Sequence, residues 1–460
     1  MPQQSQQRPR PFWDNAITAQ ISRQLWLPAG PLQADEWASE PIGHGWGTCL
    51  RWASTADVRN DWSWVIPELA PQSTEEPGLR AKKFRVYPTA QEKTILRSWF
   101  GAARWTYNEC LRAIKVEKAR KSRKDLRARA INKEAVETLK MNWLLETPYD
   151  IRDAAMNDLL KAYASGRARY KNDNKVFNIK FRSRQKCLQE SIVVHAKYWK
   201  SRTGKYAFLR RMKCQEELPE TLPHDSRLVA DWRTGRFHLC IPGAVEVVEG
   251  PAKVPRVVSL DPGVRTFMTG YSPDGEVFEL GKGDIGHIYR MCHRLDSLHS
   301  RLSKKGLDHV KKYWLRRAAA VIRRRIRNLV DDLHKRTAKY LCSSYNLVVL
   351  PTFPTQQMVG KVHRRIGSKT ARAMATWSHY RFQKRLLDKA RVYPSCRVVL
   401  VSEAHTSKTC GACGRLNNIG GSKVFRCLHC GLVCDRDING ARNILLRYCT
   451  KASRRESVVD

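Results

Sequence analysis

The stretch Val257–Gly281, VVSLDPGVRTFMTGYSPDGEVFELG, decides how the rest of the chain is read. Apolar and small residues run into Asp261, and a Pro-Gly turn follows. Two more strand-like runs come next, split by Pro-Asp-Gly. A lone aspartate at the end of a buried strand is costly unless it is paired or holds a metal. If Asp261 holds a metal, the chain must supply other carboxylates to complete the site.

Downstream, the three strands lead into a helical region over about 286–345, a strand in NLVVLP, a helix over about 367–391 and a strand in CRVVLVSE. In the long region Ile322, Ile326, Leu329, Val330 and Leu333 keep helical spacing, and Arg323, Arg324, Arg325 and Arg327 decorate the other faces. This β-β-β-α-β-α-β order is that of the RNase H-like fold with its mixed five-stranded sheet. On that fold the last helix brings its N-terminal acid against the end of the first strand. Here CDRDINGARNILLRYC predicts a helix from near Asn439 with Ala441, Ile444, Leu445 and Tyr448 on its apolar face. An N-cap explains one aspartate there. Asp435 and Asp437 together exceed that need, so Asp437 is the expected partner of Asp261.

A two-metal phosphodiesterase site uses about three carboxylates around two Mg2+ ions roughly 4 Å apart. The usual third acid ends the fourth strand, but NLVVLPTFPTQQMV contains none. Glu403, in RVVLVSEAHTSKTC, ends the next strand much as Asp261 ends the first. Its competing reading is a solvent-facing loop glutamate.

Six of the fourteen cysteines fall between Cys410 and Cys449. Cys410, Cys413, Cys427 and Cys430 form a C-x2-C-x13-C-x2-C frame with glycines after both pairs. Two thiolate pairs on tight turns suit tetrahedral zinc. The ribbon is expected over about 406–434, and Cys434 and His429 are bystanders. MPQQSQQRPRPFW has no apolar core, so no secretory signal is expected, and no disulfide framework either.

Charge points to the partner. The chain of 460 residues carries 84 Lys+Arg against 43 Asp+Glu, a net charge of +41. A compact protein with that charge calls for a polyanion, and nucleic acid is the usual one. The surplus is uneven: residues 1–79 hold five arginines, no lysine and nine acids, leaving +45 for the remainder. That acidic extension also holds seven of the fourteen tryptophans. No run approaches the ~18 apolar residues of a membrane helix.

Residues 80–250 form the next module. Lys82–Tyr87 alternates as a strand, and Thr89 with Glu92 makes a capping box that predicts a helix from Ala90. Residues 90–170 read as basic helices. Arg104, Trp105, Tyr107, Lys121, Arg123 and Lys124 there, with Arg323, Arg324 and Arg327 later, are the candidate nucleic-acid contacts. The run KVEKARKSRKDLRARA is equally readable as a functional face, contacting phosphates or serving as a nuclear-import signal, and as a solvated helix face. Residues 175–250 read as strands, including KYAFLRRM and a hairpin turning at Arg-Thr-Gly, which suggests a barrel-like module carrying the helices as an insertion.

SLDPGVRTFMTGY, the segment from EAHTSKTCGACG to CDRDINGARNILLR, and KKFRVYPTAQEKTILRSWFGAARWTYNECL together resemble the TnpB family of transposon-encoded, RNA-guided DNA endonucleases. VVLPTFPTQQMV, TWSHYRFQKRLLDKA and VSEAHTSKTCGACG resemble more narrowly the Fanzor relatives of eukaryotes and their viruses. The resemblance spans about residues 80–448. It implies a RuvC-like nuclease domain with a zinc ribbon over 251–460, preceded by a wedge β-barrel with an inserted helical recognition domain. It implies catalysis at Asp261, Glu403 and Asp437 with Mg2+, a guide RNA from the transposon end, a double-stranded DNA target beside a short motif, and a nuclear location in a eukaryotic host, or otherwise cytoplasm, nucleoid or virion. Many Fanzors carry an acid where Thr352 stands. Its absence here either puts the whole third-acid role on Glu403 or signals a decayed RNA-guided DNA-binding protein; a guide-independent, structure-specific nuclease is a separate competing reading.

Overall fold

The computed structural model describes residues 79–456 apart from 175, 186–187, 201–202, 249–254, 354, 361–363, 365 and 403–404. The N-terminal extension and Glu403 therefore lie outside the described residues. The chain divides into two compact units, one of Gly78–Val245 with Leu307–Val321, the other built from Glu246–Gly306 and Ile322–Asp460. No helix among the described residues is long and apolar enough to cross a membrane.

The first unit opens with β1 (Leu79–Tyr87) and α1 (Ala90–Lys115). Both bonds of the expected capping box form: the Thr89 hydroxyl accepts from Glu92 N–H at 3.3 Å, and the Glu92 carboxylate accepts from Thr89 N–H at 2.6 Å. α2 (Arg123–Ala130), α3 (Lys133–Thr138) and α4 (Tyr149–Asp173) follow. Then come β2 (Gln189–Val194), α5 (Ala207–Arg211), β3 (Lys213–Cys214), β4 (Ser226–Asp231) and β5 (Arg236–Ala244). The strands form one antiparallel sheet in the order β2-β4-β5-β1-β3. Among the described residues no pairing joins β2 to β3, so the sheet is open where a barrel was expected. Alternation puts Phe237, Leu239 and Ile241 of β5 into one core with Leu96, Trp99 and Phe100 of α1. KYAFLRRM was expected as a strand and is the helix α5. Tyr206, Leu209 and Met212 bury every third side chain, and the Tyr206 ring meets Trp99 at 5.4 Å. Tertiary packing overrides the β-propensity of its aromatic residues.

The second unit contains β6 (Val257–Pro262), β7 (Met268–Tyr271), β8 (Val277–Leu280), α6 (Asp284–Leu302) and the later part of α7 (His309–Ser344). β9 (Leu347–Pro351), α8 (Thr355–Val359), α9 (Ser368–Trp377), α10 (His379–Ala390) and β10 (Arg397–Val401) follow. Both long helical regions expected from sequence are split. The left-handed Gly306 sits between α6 and α7, and the left-handed Ser378 between α9 and α10. The sheet order is β10-β9-β6-β7-β8, with β6, β9 and β10 parallel and β7 and β8 antiparallel. β11 (Val424–Arg426) and β12 (Val433–Asp435) make a small hairpin before α11 (Arg436–Glu456). α11 buries Ile444, Leu445, Tyr448 and Cys449 against Val257, Leu347, Val349 and Val401 of the sheet.

Candidate active site

The sheet brings the C-terminal ends of β6, β8, β9 and β10 to one edge. Asp261 pairs with Thr269, and Thr269 pairs with Glu279. Paired residues project to the same face, so Asp261 and Glu279 stand on one side of the sheet, two strand steps or about 10 Å apart. That side carries α11. The Ser259 hydroxyl donates to the Ala441 carbonyl at 2.7 Å, and a Cβ built on Gly440 would lie 2.7 Å from Asp261 Oδ2. The bare backbone of Gly440 is what lets the Asp261 carboxylate lie against the helix.

Asp437 sits one turn before Gly440. α11 begins at Arg436, earlier than expected, because Asp435 supplies the cap: its carboxylate accepts from the N–H groups of Asp437 at 2.8 Å and Ile438 at 3.4 Å. Asp437 is thus relieved of capping. Burial first, and then the charge of Asp435, hold its carboxyl above the usual carboxylate range, against the pull of Arg436 and Lys423. Lys423 also bridges Asp435 at 3.3 Å and Glu279 at 3.4 Å. Burial pushes Glu279 up, but Lys282 and Lys423 outweigh it and leave that carboxyl below the usual range. The Thr266 hydroxyl donates to it at 3.2 Å.

The turn after Asp261 is held from below. Trp377 Nε1 donates to the Val264 carbonyl at 2.9 Å. The Phe267 ring lies between His334 and His379, with centroids 5.1 and 5.2 Å away. Burial lowers His379 to about 4. At the end of β9, Thr352 N–H and hydroxyl both donate to the Val401 carbonyl, at 2.7 and 3.2 Å. The fourth strand therefore ends in a bond to its neighbour. Glu403 lies two residues past the end of β10.

The four predicted cysteines converge. The Sγ atoms of Cys410, Cys413, Cys427 and Cys430 all lie within 4.8 Å of one another, the only such group of donors among the described residues. Cys410–Cys430 and Cys413–Cys427 are both 3.6 Å apart. A tetrahedron with ~2.3 Å Zn–S bonds has ~3.8 Å edges, so the set could hold zinc. The first knuckle is fastened to α11. Buried Asn439 accepts from Gly411 N–H at 2.9 Å and donates to the Thr409 carbonyl at 2.8 Å. Asn443 donates to the carbonyls of Thr406 and Thr409 at 2.8 and 2.7 Å.

The Cas12f1-like TNB domain family matches residues 379–444, which include the four cysteines, Asp437 and Gly440. The helix-turn-helix domain family HTH_OrfB_IS605 matches residues 78–123. A TnpB-like protein of Acanthamoeba polyphaga mimivirus is 26% identical over 417 residues, covering 83% of this chain and 78% of that protein. The chain is similar to TnpB-like (IS605 OrfB) proteins over most of its length. TnpB-like relatives extend across viruses and bacteria. A putative transposase of Paramecium bursaria Chlorella virus 1 is 29% identical over 386 residues, covering 80% of this chain and 87% of its own. A protein of Streptomyces pristinaespiralis named putative RNA-guided DNA endonuclease is 27% identical over 382 residues, covering 80% and 88%.

In this TnpB-like chain the nine basic and aromatic candidates divide. Arg104 makes a bidentate pair with Glu190 at 2.7 and 2.9 Å, Trp105 packs on Ala102, Val136 and Leu144, and Tyr107 is buried with the Arg182 guanidinium 3.6 Å from its ring centroid. These three side chains make contacts within the first unit. Lys121, Arg123, Lys124 and Arg327 are exposed. Arg324 is half-buried, and Arg323 is half-buried and bonded to His299. Sequence reasoning missed Glu279 and Lys423. Counting back from the Pro-Asp-Gly turn places Glu279 opposite Thr269, and that count was the available signal.

Proposed function

We propose that this chain is an RNA-guided, Mg2+-dependent DNA endonuclease of a transposable element, of the Fanzor type. It would cut guide-matched duplex DNA beside a short motif and act in the nucleus of a eukaryotic host. The observation that carries the reading is the Asp261 carboxylate against Gly440, one helical turn from Asp437. The end of the first strand and the start of the last helix meet, as a RuvC-like nuclease requires. The strand order supports the RNase H-like assignment, and the antiparallel sheet with its helical insertion supports a wedge with a recognition domain. Relatives named RNA-guided DNA endonucleases favour this chemistry.

Asp261, Asp437 and Glu403 would hold the catalytic Mg2+ ions, and Cys410, Cys413, Cys427 and Cys430 a structural zinc. When bound, the Mg2+ ions supply a hydroxide nucleophile and neutralise charge building on the scissile phosphate. Asp437 must be ionised to take part, and Lys423 and Arg436 favour that state. Asp435 orients the helix terminus, and Glu279 orients Lys423. A guide RNA from the transposon end would read the target by pairing, and exposed cations such as Lys121, Arg123, Lys124 and Arg327 would hold backbone phosphates. Thr352, bonded to Val401, favours a second reading, a decayed RNA-guided binder.

The test is to purify the protein from cells expressing the element, sequence the bound RNA, and supply Mg2+ and a plasmid matching the guide. One discrete RNA and cleavage lost in Asp261→Ala and Glu403→Ala, with target binding kept, are expected. Thr352→Glu should restore some cleavage to Glu403→Ala. Binding without any cutting by the wild type selects the decayed reading, and no bound RNA defeats both.

A further inference from the structure

The N-terminal part of α7 has two apolar faces. Leu315 and Ala319 are buried, as a helix packed into a protein requires. On the opposite face Val310, Tyr313, Trp314 and Val321 are 60%, 49%, 56% and 44% exposed. With Arg317 they fall at helical spacing along one stripe. Contiguous exposed rings of this kind mark a surface that meets a partner.

The rings are held in place before any partner arrives. Tyr313 and Trp314 meet edge to face with centroids 5.3 Å apart. The Arg317 guanidinium lies 5.5 Å from the Trp314 ring centroid and donates to the Tyr313 hydroxyl at 3.4 Å. Lys311 borders the stripe, and Lys312 and Arg316 lie in the same two turns. From 309 to 330 the sequence contains no acid.

The chemistry selects the partner. An apolar protein groove gains nothing from so many uncompensated cations. A nucleic-acid duplex shows the protein phosphates and groove edges, and its stacked bases offer no faces to exposed rings. Unpaired nucleotides offer both a charged backbone and free base faces, and proteins take them on aromatic side chains beside Arg and Lys. We propose that Tyr313, Trp314 and Arg317 form a stacking platform for unpaired nucleobases, with the neighbouring lysines and Arg316 serving the phosphates. This deepens the nucleic-acid part of the function proposed above and is independent of whether the protein cuts.

The experiment uses purified full-length protein at fixed moderate salt with three labelled probes: a twelve-residue oligothymidylate, a twelve-residue oligouridylate and a mixed-sequence duplex. Trp314→Ala should weaken single-strand binding by about 5- to 150-fold, the effect of losing one aromatic–base stack. Trp314→Phe should keep most of the affinity, and the duplex should change by less than roughly twofold. A loss larger with oligothymidylate assigns the platform to DNA, and one larger with oligouridylate assigns it to RNA. Trp314 is exposed, so circular dichroism and melting should match the wild type. Unchanged single-strand affinity in Trp314→Ala overturns the proposal, as does an equal loss on the duplex. Light scattering that shows Trp314→Ala dissolving an oligomer, with oligonucleotide affinity unchanged, makes the stripe an interface between copies and overturns it too. Cleavage is not read, so a wild type that never cuts DNA defeats the nuclease reading without touching this one.

Discussion

Replacing Gly440 with alanine separates folding from chemistry. Gly440 lies inside α11, where alanine is favoured by about 0.8–1.0 kcal/mol in helix propensity. The added Cβ would meet Asp261 Oδ2 at 2.7 Å, its Cγ at 3.3 Å and its Oδ1 at 3.9 Å, so its three nearest contacts all belong to that one carboxylate. An ordinary contact begins near 3.4 Å, so the carboxylate must retreat by about 0.7 Å. That retreat is a small rotation of a short, half-buried side chain, and its cost is of the same order as the propensity gain. Stability should therefore change by less than about 1 kcal/mol.

Chemistry has no such tolerance. A misplacement of about 1 Å in a reacting group can cost about a hundredfold in rate. A shift of this size should slow single-turnover cleavage by about 10- to 100-fold, or roughly 1.4–2.7 kcal/mol in the barrier. The assay pairs single-turnover cleavage of a guide-matched duplex with gel-shift binding of the same duplex and a thermal melt. The expected Gly440→Ala variant binds and melts like the wild type and cuts slowly. A variant that cuts at the wild-type rate would show that the Asp261 carboxylate is not at the reacting centre.

Cys427→Ala leaves three thiolates, and zinc content by elemental analysis should fall below stoichiometric with loss of cleavage, since zinc-binding energy in such ribbons is folding energy. Acid should begin to destabilise the second unit from about pH 6.5 downward. His379 is lowered from 6.5 to about 4, so its contribution is complete above pH 6.5 and is lost as pH falls through that window, about 3 kcal/mol in all. His379→Phe should flatten that part of a melting-temperature profile, and an unchanged slope would refute the assignment. Lys423→Ala removes a charge that lowers the Asp437 pKa, so the acid limb of the pH–rate profile should move to higher pH.

Much of the second unit was legible because its signals are local. Period-two and period-3.6 patterns gave its strand and helix order, the C-x2-C spacing gave the thiolate group, and the acids at the end of β6 and the start of α11 followed from that order. The pairing of Arg104 was not legible because its partner lies 86 residues away, and charge alone does not distinguish a phosphate contact from a paired arginine. Glu279 was missed for a related reason. It does not end a hydrophobic run in isolation, and its relation to Asp261 exists only through the double register across β7. α5 was misread because aromatic residues favour strands until a particular neighbour, here Trp99, rewards the helical spacing.

The position of the ribbon in the chain ties the four-cysteine group to the sheet edge that carries Asp261. Asp437 is held by the start of a helix, and helix ends fray unless something fixes them. Three independent ties meet there. Asp435 caps the terminus, Lys423 of the ribbon clamps Asp435 to Glu279 on β8, and Asn439 and Asn443 bind the carbonyls of the first knuckle. Gly411 is part of the same fit, since a Cβ there would lie 2.9 Å from Asn439 Oδ1. Buried amides that satisfy specific backbone groups position more strictly than apolar packing, because a slipped register leaves them unpaired. The ribbon thus acts on the first turn of α11 as a brace. Its four cysteines stand at the far end of a continuous set of hydrogen bonds that ends within one turn of the Asp261 carboxylate.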